Sequence, residues 1–168
     1  MNSITLKATP LTKEAFAPYG DVIETDGAKH FGMNDDGMER FYDLANIDID
    51  HQEGGKAVIS MTVCNKVDSL PYKMYCIERH PRGSQAFIPM TESPLIVAVA
   101  EPSETVDLTK RKAFISNGKQ GINYNKNVWH MPTICLDGDQ RFIIIDRGGK
   151  GDNCDLETFK DQPITITL

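Results

Sequence analysis

The sequence predicts an all-β protein, an antiparallel sandwich or barrel with one short helix near its start. Three observations carry that expectation. Apolar stretches of strand length at 57–63, 95–100, 142–145 and 164–168 are rich in β-branched residues. Turn signals separate them: Gly54-Gly55, Asn117-Gly118, Asp137-Gly138 and Gly148-Gly149. No long helix lies between them to carry a parallel crossover.

In chain order, Thr12 is placed to cap a helix through Lys13-Glu14-Ala15-Phe16, which Pro18 stops. After the strand at 57–63, the segment 74–80 reads as a single strand, with His80 held extended by Pro81. Side chains two apart share a face, so Met74, Cys76, Glu78 and His80 point one way and Arg79 the other. Met74 and Cys76 make the shared face the interior. Arg82-Gly83-Ser84 then turns the chain into Gln85-Ala86-Phe87-Ile88-Pro89, which brings Gln85 back beside Glu78 and His80. The run 95–100 is the longest uninterrupted apolar stretch and reads as a buried strand. Asn117-Gly118 supplies the positive φ angles of a tight hairpin turn. Asp137-Gly138 does the same between Thr133-Ile134-Cys135-Leu136 and Arg141-Phe142-Ile143.

At 168 residues the chain reads as one domain, 1–168, able to bury about two thirds of its unfolded surface without a disulfide or metal. Its net charge of −6 repels polyanions and argues against a nucleic-acid partner. The one tight basic run, Lys110-Arg111-Lys112, reads as a solvated edge. An apolar run of 95–100 falls far short of the ~20 residues that span a bilayer, so no membrane partner is expected. The opening Met-Asn-Ser-Ile-Thr-Leu-Lys lacks a charged-then-apolar leader pattern, and the expected location is cytoplasmic. Cys64, Cys76, Cys135 and Cys154 show no C-x-x-C spacing and read as reduced, core-filling residues.

Chemistry concentrates in three places. Glu78 and His80 project into one enclosed space, where a carboxylate and an imidazole need a partner or a purpose. His130 follows the only tryptophan, Trp129, in a polar stretch that also holds Asn125 and Lys126. Two histidines and a glutamate converging in one barrel would serve acid–base or metal chemistry. Asp146-Arg147 ends a buried strand; Arg147 offers a planar fork to a carboxylate, or the two residues pair with each other or a turn. His30 and His51 sit in polar, loop-like surroundings and are expected to be exposed.

The stretch Glu78-Arg79-His80-Pro81-x-Gly83-Ser84-Gln85-Ala86-Phe87-Ile88-Pro89-Met90 resembles the ureidoglycolate lyase family. The likeness extends through Ala113-Phe114-Ile115-x-Asn117-Gly118-x-Gln120-Gly121-x-Asn123-Tyr124-x-x-Asn127-Val128-Trp129-His130. Ile145-Asp146-Arg147-Gly148-Gly149, Asp152-Asn153-Cys154-Asp155 and Glu14-Ala15-Phe16-x-x-Tyr19-Gly20-Asp21-Val22-Ile23-Glu24 belong to it as well. The resemblance implies a cupin-like barrel or jelly roll, a homodimer, and cleavage of (S)-ureidoglycolate to glyoxylate and urea in allantoin and purine degradation. The alternating tail 164–168 is one candidate strand for the dimer interface. Against the cupin metal motifs, Glu78 and His80 take the paired position, Gln85 stands where a glutamate would be, and His130 matches the final histidine. Asn125 and Asn127 replace the usual proline and glycine ahead of it.

That resemblance implies roles. His80 and His130 form an acid–base pair of open order, with Glu78 orienting or charge-balancing one of them. Gln85 or Asn125 holds the ureido group, and Lys126 or Arg147 meets the substrate carboxylate. If a divalent metal is bound, nickel in particular by resemblance, its ligands are Glu78, His80 and His130; no organic cofactor is expected. The rival readings are another cupin-like small-acid enzyme and a non-catalytic ligand-binding module.

Overall fold

The computed structural model describes residues 4–168; Met1, Asn2 and Ser3, part of the stretch compared with a leader, lie outside the described residues. The elements are β1 (Ile4–Pro10), α1 (Lys13–Phe16), β2 (Gly20–Ile23), β3 (His30–Met33), β4 (Met38–Phe41), β5 (Lys56–Val63), β6 (Tyr72–Met74) and β7 (Cys76–Arg79). They continue with β8 (Gln85–Pro89), β9 (Ile96–Ala100), β10 (Lys112–Ile115), β11 (Gly121–Tyr124), β12 (Trp129–His130), β13 (Arg141–Gly148), β14 (Asp155–Thr158) and β15 (Ile164–Thr167). The all-β expectation holds. So does the helix: the Thr12 hydroxyl accepts the Ala15 N–H at 3.2 Å, and Phe16 drops into the core.

Two sheets face each other. One has eight strands in the order β14-β7-β12-β9-β10-β1-β15-β6, the other five in the order β2-β11-β8-β13-β5, and β3–β4 is a separate hairpin. The five-stranded sheet is antiparallel throughout. The larger one is mixed, because β1 runs parallel to both β10 and β15. Those partners lie far along the chain, and only so long a connection lets parallel strands pair.

Connectivity forces the larger sheet to curl. β7 is second and β6 eighth and last in strand order, with only Tyr75 between them in sequence. In a flat sheet, six strand spacings would hold them about 29 Å apart, whereas the chain from Met74 to Cys76 reaches about 7 Å. The expected single strand 74–80 is therefore two strands broken at Tyr75, whose carbonyl accepts the Phe159 N–H. Between the sheets lies a core that includes Phe16, Val97, Val99 and Phe114 on one side and Val22, Phe87, Ile122, Tyr124 and Phe142 on the other. The second face of β9 packs Ile96 and Ala98 against Ala8, Met74, Ile164 and Ile166. Burial on both faces explains why 95–100 is continuously apolar rather than alternating.

Three local expectations are corrected. Asn117-Gly118 closes no hairpin: β10 and β11 belong to different sheets, and only Gly118 has a positive φ, 91°. Its turn is a crossover in which Ser116 Oγ accepts the Leu95 and Gly118 N–H groups. Asp137-Gly138 has no positive φ, and 133–136 is not a strand. There the Gln140 side chain takes the place of a ladder, accepting the Leu136 N–H at 2.8 Å and donating to the Pro94 carbonyl at 2.9 Å. Finally, the 164–168 tail offers no free edge, because β15 is paired on both sides, with β1 and β6.

Candidate active site

β7 and β12 are neighbours in the curled sheet, with Glu78 and His130 in direct register. After β7 the chain crosses to the facing sheet through 81–84, so His80 and Gln85 meet across the interior. Glu78, His80 and His130 converge there: one ligand atom from each lies within 4.8 Å of the others. The alternation read from sequence is correct at this point. Arg79 lies on the opposite face, paired with Asp155 at 2.8 Å and Glu104 at 3.2 Å, its guanidinium 5.1 Å from the Trp129 ring centre.

His130 is 2% exposed. Its Nδ1–H donates to the Val128 carbonyl at 2.9 Å, and the Tyr124 ring stacks on it at 4.1 Å and 13°. That leaves Nε2 as a buried lone pair with no hydrogen-bond partner. The nearest charge is Glu78 Oε1 at 3.7 Å, beyond hydrogen-bond reach. Burial first, and the neighbouring His80 second, push the His130 pKa down to about 3, so the ring is neutral at ordinary pH. Burial outweighs the distant carboxylate.

The negative charge of Glu78 is felt all around it. Burial first and Glu78 second raise the pKa of Cys76, of Tyr124 and of Cys154. The Cys154 thiol donates to Glu78 Oε2 at 3.7 Å.

His80 is held at both ring nitrogens. Nδ1 lies 2.6 Å from the Asn153 carbonyl oxygen and Nε2 lies 3.1 Å from Gln85 Oε1. Both partners are acceptors, so whichever ring nitrogen carries a proton has one to donate to. The ring centres of His80 and His130 are 5.0 Å apart.

Other expected residues fall elsewhere. The Arg147 guanidinium turns to the outer side, 6% exposed, and donates to the carbonyls of Asp50 (2.7 Å), Gln52 (2.7 Å) and Lys150 (3.1 Å). It staples a loop, as its turn-pairing alternative anticipated. Asp146, one residue earlier, faces inward and accepts from Gln85 Nε2 at 3.2 Å. From sequence Asp146 was considered only as a partner for Arg147 or a turn, although the inward alternation Phe142, Ile144, Asp146 was there to extend. Asn125 and Lys126 are exposed in the turn before β12, and Lys126 Nζ lies 3.8 Å from Asp48. Asn125 also lines an open surface cleft of about 450 Å³ with Lys13, Gly20, Asp21 and Tyr42. That cleft contains none of the three convergent residues, and Lys13 at its edge already lies 3.8 Å from Glu24. His30 and His51 are exposed, as expected.

The convergent donors suit a divalent cation. Two imidazoles and a carboxylate are ligands that nickel and zinc accept, and an unpartnered buried nitrogen such as His130 Nε2 is what a cation would satisfy; His80 would join them only with Nε2 unprotonated and released from Gln85.

A curled all-β scaffold with two histidines and a glutamate gathered inside has the make-up of an enzyme site. No helix among the described residues is long and apolar enough to cross a membrane. The chain belongs to the ureidoglycolate lyase family, whose profile, described as "Ureidoglycolate lyase", matches residues 3–167. It is 44% identical over 160 residues to the ureidoglycolate lyase of Pseudomonas syringae pv. tomato, covering 94% of this chain and 92% of that protein. It is 48% identical over 158 residues to that of Burkholderia mallei, covering 94% and 91%. With the enzyme of Pseudomonas fluorescens strain Pf0-1 it shares 45% over 158 residues, covering 94% and 93%.

The depressed pKa of His130 has a consequence for stability. The unfolded chain takes up this proton near the ordinary value of about 6.5, and the folded chain only near 3. Between those values the unfolded state binds more protons, so the His130 contribution to stability is lost as pH falls from about 6.5 towards 3. Urea unfolding at pH 7.5 and pH 4.5 should show a larger acid-induced loss in the parent than in His130→Leu. Equal losses would mean that the buried ring does not resist protonation.

Proposed function

We propose that this chain is a cytoplasmic ureidoglycolate lyase that splits (S)-ureidoglycolate into glyoxylate and urea in allantoin and purine degradation. The observation that carries the reading is the neutral, unpartnered Nε2 of His130 facing Glu78 and His80 in the interior. In this reaction the hydroxyl proton leaves to a base and the carbon–nitrogen bond breaks. Its electron pair goes to the nitrogen, which takes a proton from an acid while the carbonyl forms. No water is consumed.

The hydrogen bonds support an assignment of the two roles. His130 Nε2, a lone pair, takes the hydroxyl proton, and Glu78 at 3.7 Å offsets the charge that forms. His80, whose ring nitrogens each face a carbonyl oxygen, returns a proton to the departing urea nitrogen. Gln85 is the amide available to the ureido group, whereas Asn125 and Lys126 lie exposed in the turn before β12 and the Arg147 fork already serves three carbonyls. If a divalent cation is bound instead, Glu78, His80 and His130 would be its ligands rather than acid and base, and it would supply Lewis-acid polarisation of the substrate oxygens. The curled eight-stranded sheet against a five-stranded one supports a cupin-type barrel. A homodimer completes the reading, supported by β5, unpaired along one side with Ile59, Met61 and Val63 exposed.

The test is to incubate the protein with racemic ureidoglycolate and follow urea, glyoxylate and ammonia together. Urea and glyoxylate in equal amounts, no ammonia, and half of the substrate left untouched are expected. Ammonia with carbon dioxide would make the chain an amidohydrolase instead.

A further inference from the structure

Asp146 has no part in the proton transfers above, yet it stands one hydrogen bond behind them. It follows Phe142 and Ile144 on the inner face of β13, and its Oδ2 accepts from Gln85 Nε2 at 3.2 Å. No lysine, arginine or histidine nitrogen among the described residues lies within ion-pair distance, 4.0 Å, of its carboxylate. Arg147, its neighbour in sequence, points to the opposite side of the sheet. A half-buried carboxylate whose one side-chain partner is a neutral amide is unusual, because buried charges are normally paired.

The chemistry of that amide explains the arrangement. The two ends of a glutamine amide have nearly the same shape, and only hydrogen bonding decides which faces where. A carboxylate accepts and cannot donate, so it draws the NH₂ end of Gln85 towards itself. The carbonyl end is then committed to His80 Nε2, 3.1 Å away. At the other ring nitrogen, the Asn153 carbonyl is fixed because its side-chain Oδ1 accepts the Arg82 N–H at 2.8 Å.

We propose that Asp146 is a positioning residue, which acts through the Gln85 amide to orient the His80 ring for the reaction. The inference rests on the lyase reading for its kinetic consequence but not for its structural one. Asp146→Asn keeps the shape and removes the obligation, since an amide both donates and accepts and allows Gln85 to turn over. The expected result is a fall in kcat of about 10–100-fold, the usual cost of losing a group that supports a site residue, with KM changing much less. Asp146→Glu, which keeps an acceptor-only group, recovers part of the loss.

The decisive comparison is a double-mutant cycle with Gln85→Met. If Asp146 acts through Gln85, the double variant is no slower than Gln85→Met alone. Losses that multiply would overturn the proposal, as would an Asp146→Asn protein with parental kcat. Nitrogen-resolved NMR of the His80 ring reads the same link without turnover. Its signals should shift in Asp146→Asn, and unchanged signals would refute the proposal even if the parent released no urea. That last result would fail the lyase reading on its own. Cooperative unfolding of each variant excludes a collapsed fold as the cause.

Discussion

His130→Leu should release urea from ureidoglycolate at least about 10²–10⁴-fold more slowly than the parent, the usual worth of a positioned acid or base, while unfolding at an equal or higher denaturant concentration. The two halves of this result have one cause. A buried nitrogen without a partner costs about 1–3 kcal/mol, and the bond from Nδ1 to Val128 returns about 1 kcal/mol. Leucine occupies a similar volume and removes the unpartnered nitrogen, and against this the Val128 carbonyl loses its side-chain donor. A ring expected to add little to stability even at neutral pH, yet 2% exposed against Tyr124 and Glu78, is there for its chemistry. Stopped assays of urea and equilibrium unfolding at neutral pH check both halves. Turnover within about tenfold of the parent would remove His130 from the proton transfer.

Part of this site was legible in the sequence, for a simple reason. Glu78, His80 and Gln85 are near neighbours along the chain, so strand alternation and one short turn suffice to bring them together. His130 was visible as a candidate, but its place was not. It reaches Glu78 through a two-residue strand inserted between β7 and β9, and no periodicity can be read from two residues. The same limit explains the corrected turns. Asn117-Gly118 has the composition of a hairpin, but whether a turn closes one sheet or crosses to another depends on partners elsewhere in the chain. Arg147 misled for a different reason. Its side chain is suited to a carboxylate, and only its position on the outer face of β13 shows that carbonyls of the 50–52 turn have already taken its donors. Strand stretches and turn signals reached the all-β class by themselves, and the family likeness added the grouping of Glu78, His80 and His130, which local rules left open.

The placement of His130 depends on the residue before it, which leads to the largest expected loss of stability. Trp129 is 1% exposed and packs with Ile77 and Ala100 on the side of β12 away from the site. Its Nε1–H donates to the Ser103 carbonyl at 3.1 Å, and Arg79 stacks over its ring. With only two residues in β12, these contacts anchor the strand between β7 and β9. Trp129→Ala should therefore cost about 3–5 kcal/mol, the range for deleting a buried aromatic ring, and should lower turnover in the fraction that remains folded. Trp129→Phe keeps most of the packing and loses one hydrogen bond. It should cost about 1 kcal/mol and leave turnover near the parent's. Urea unfolding and initial rates on both variants separate anchoring from chemistry. If Trp129→Phe were as inactive as Trp129→Ala, the indole itself would act at the site, and anchoring would not be its role.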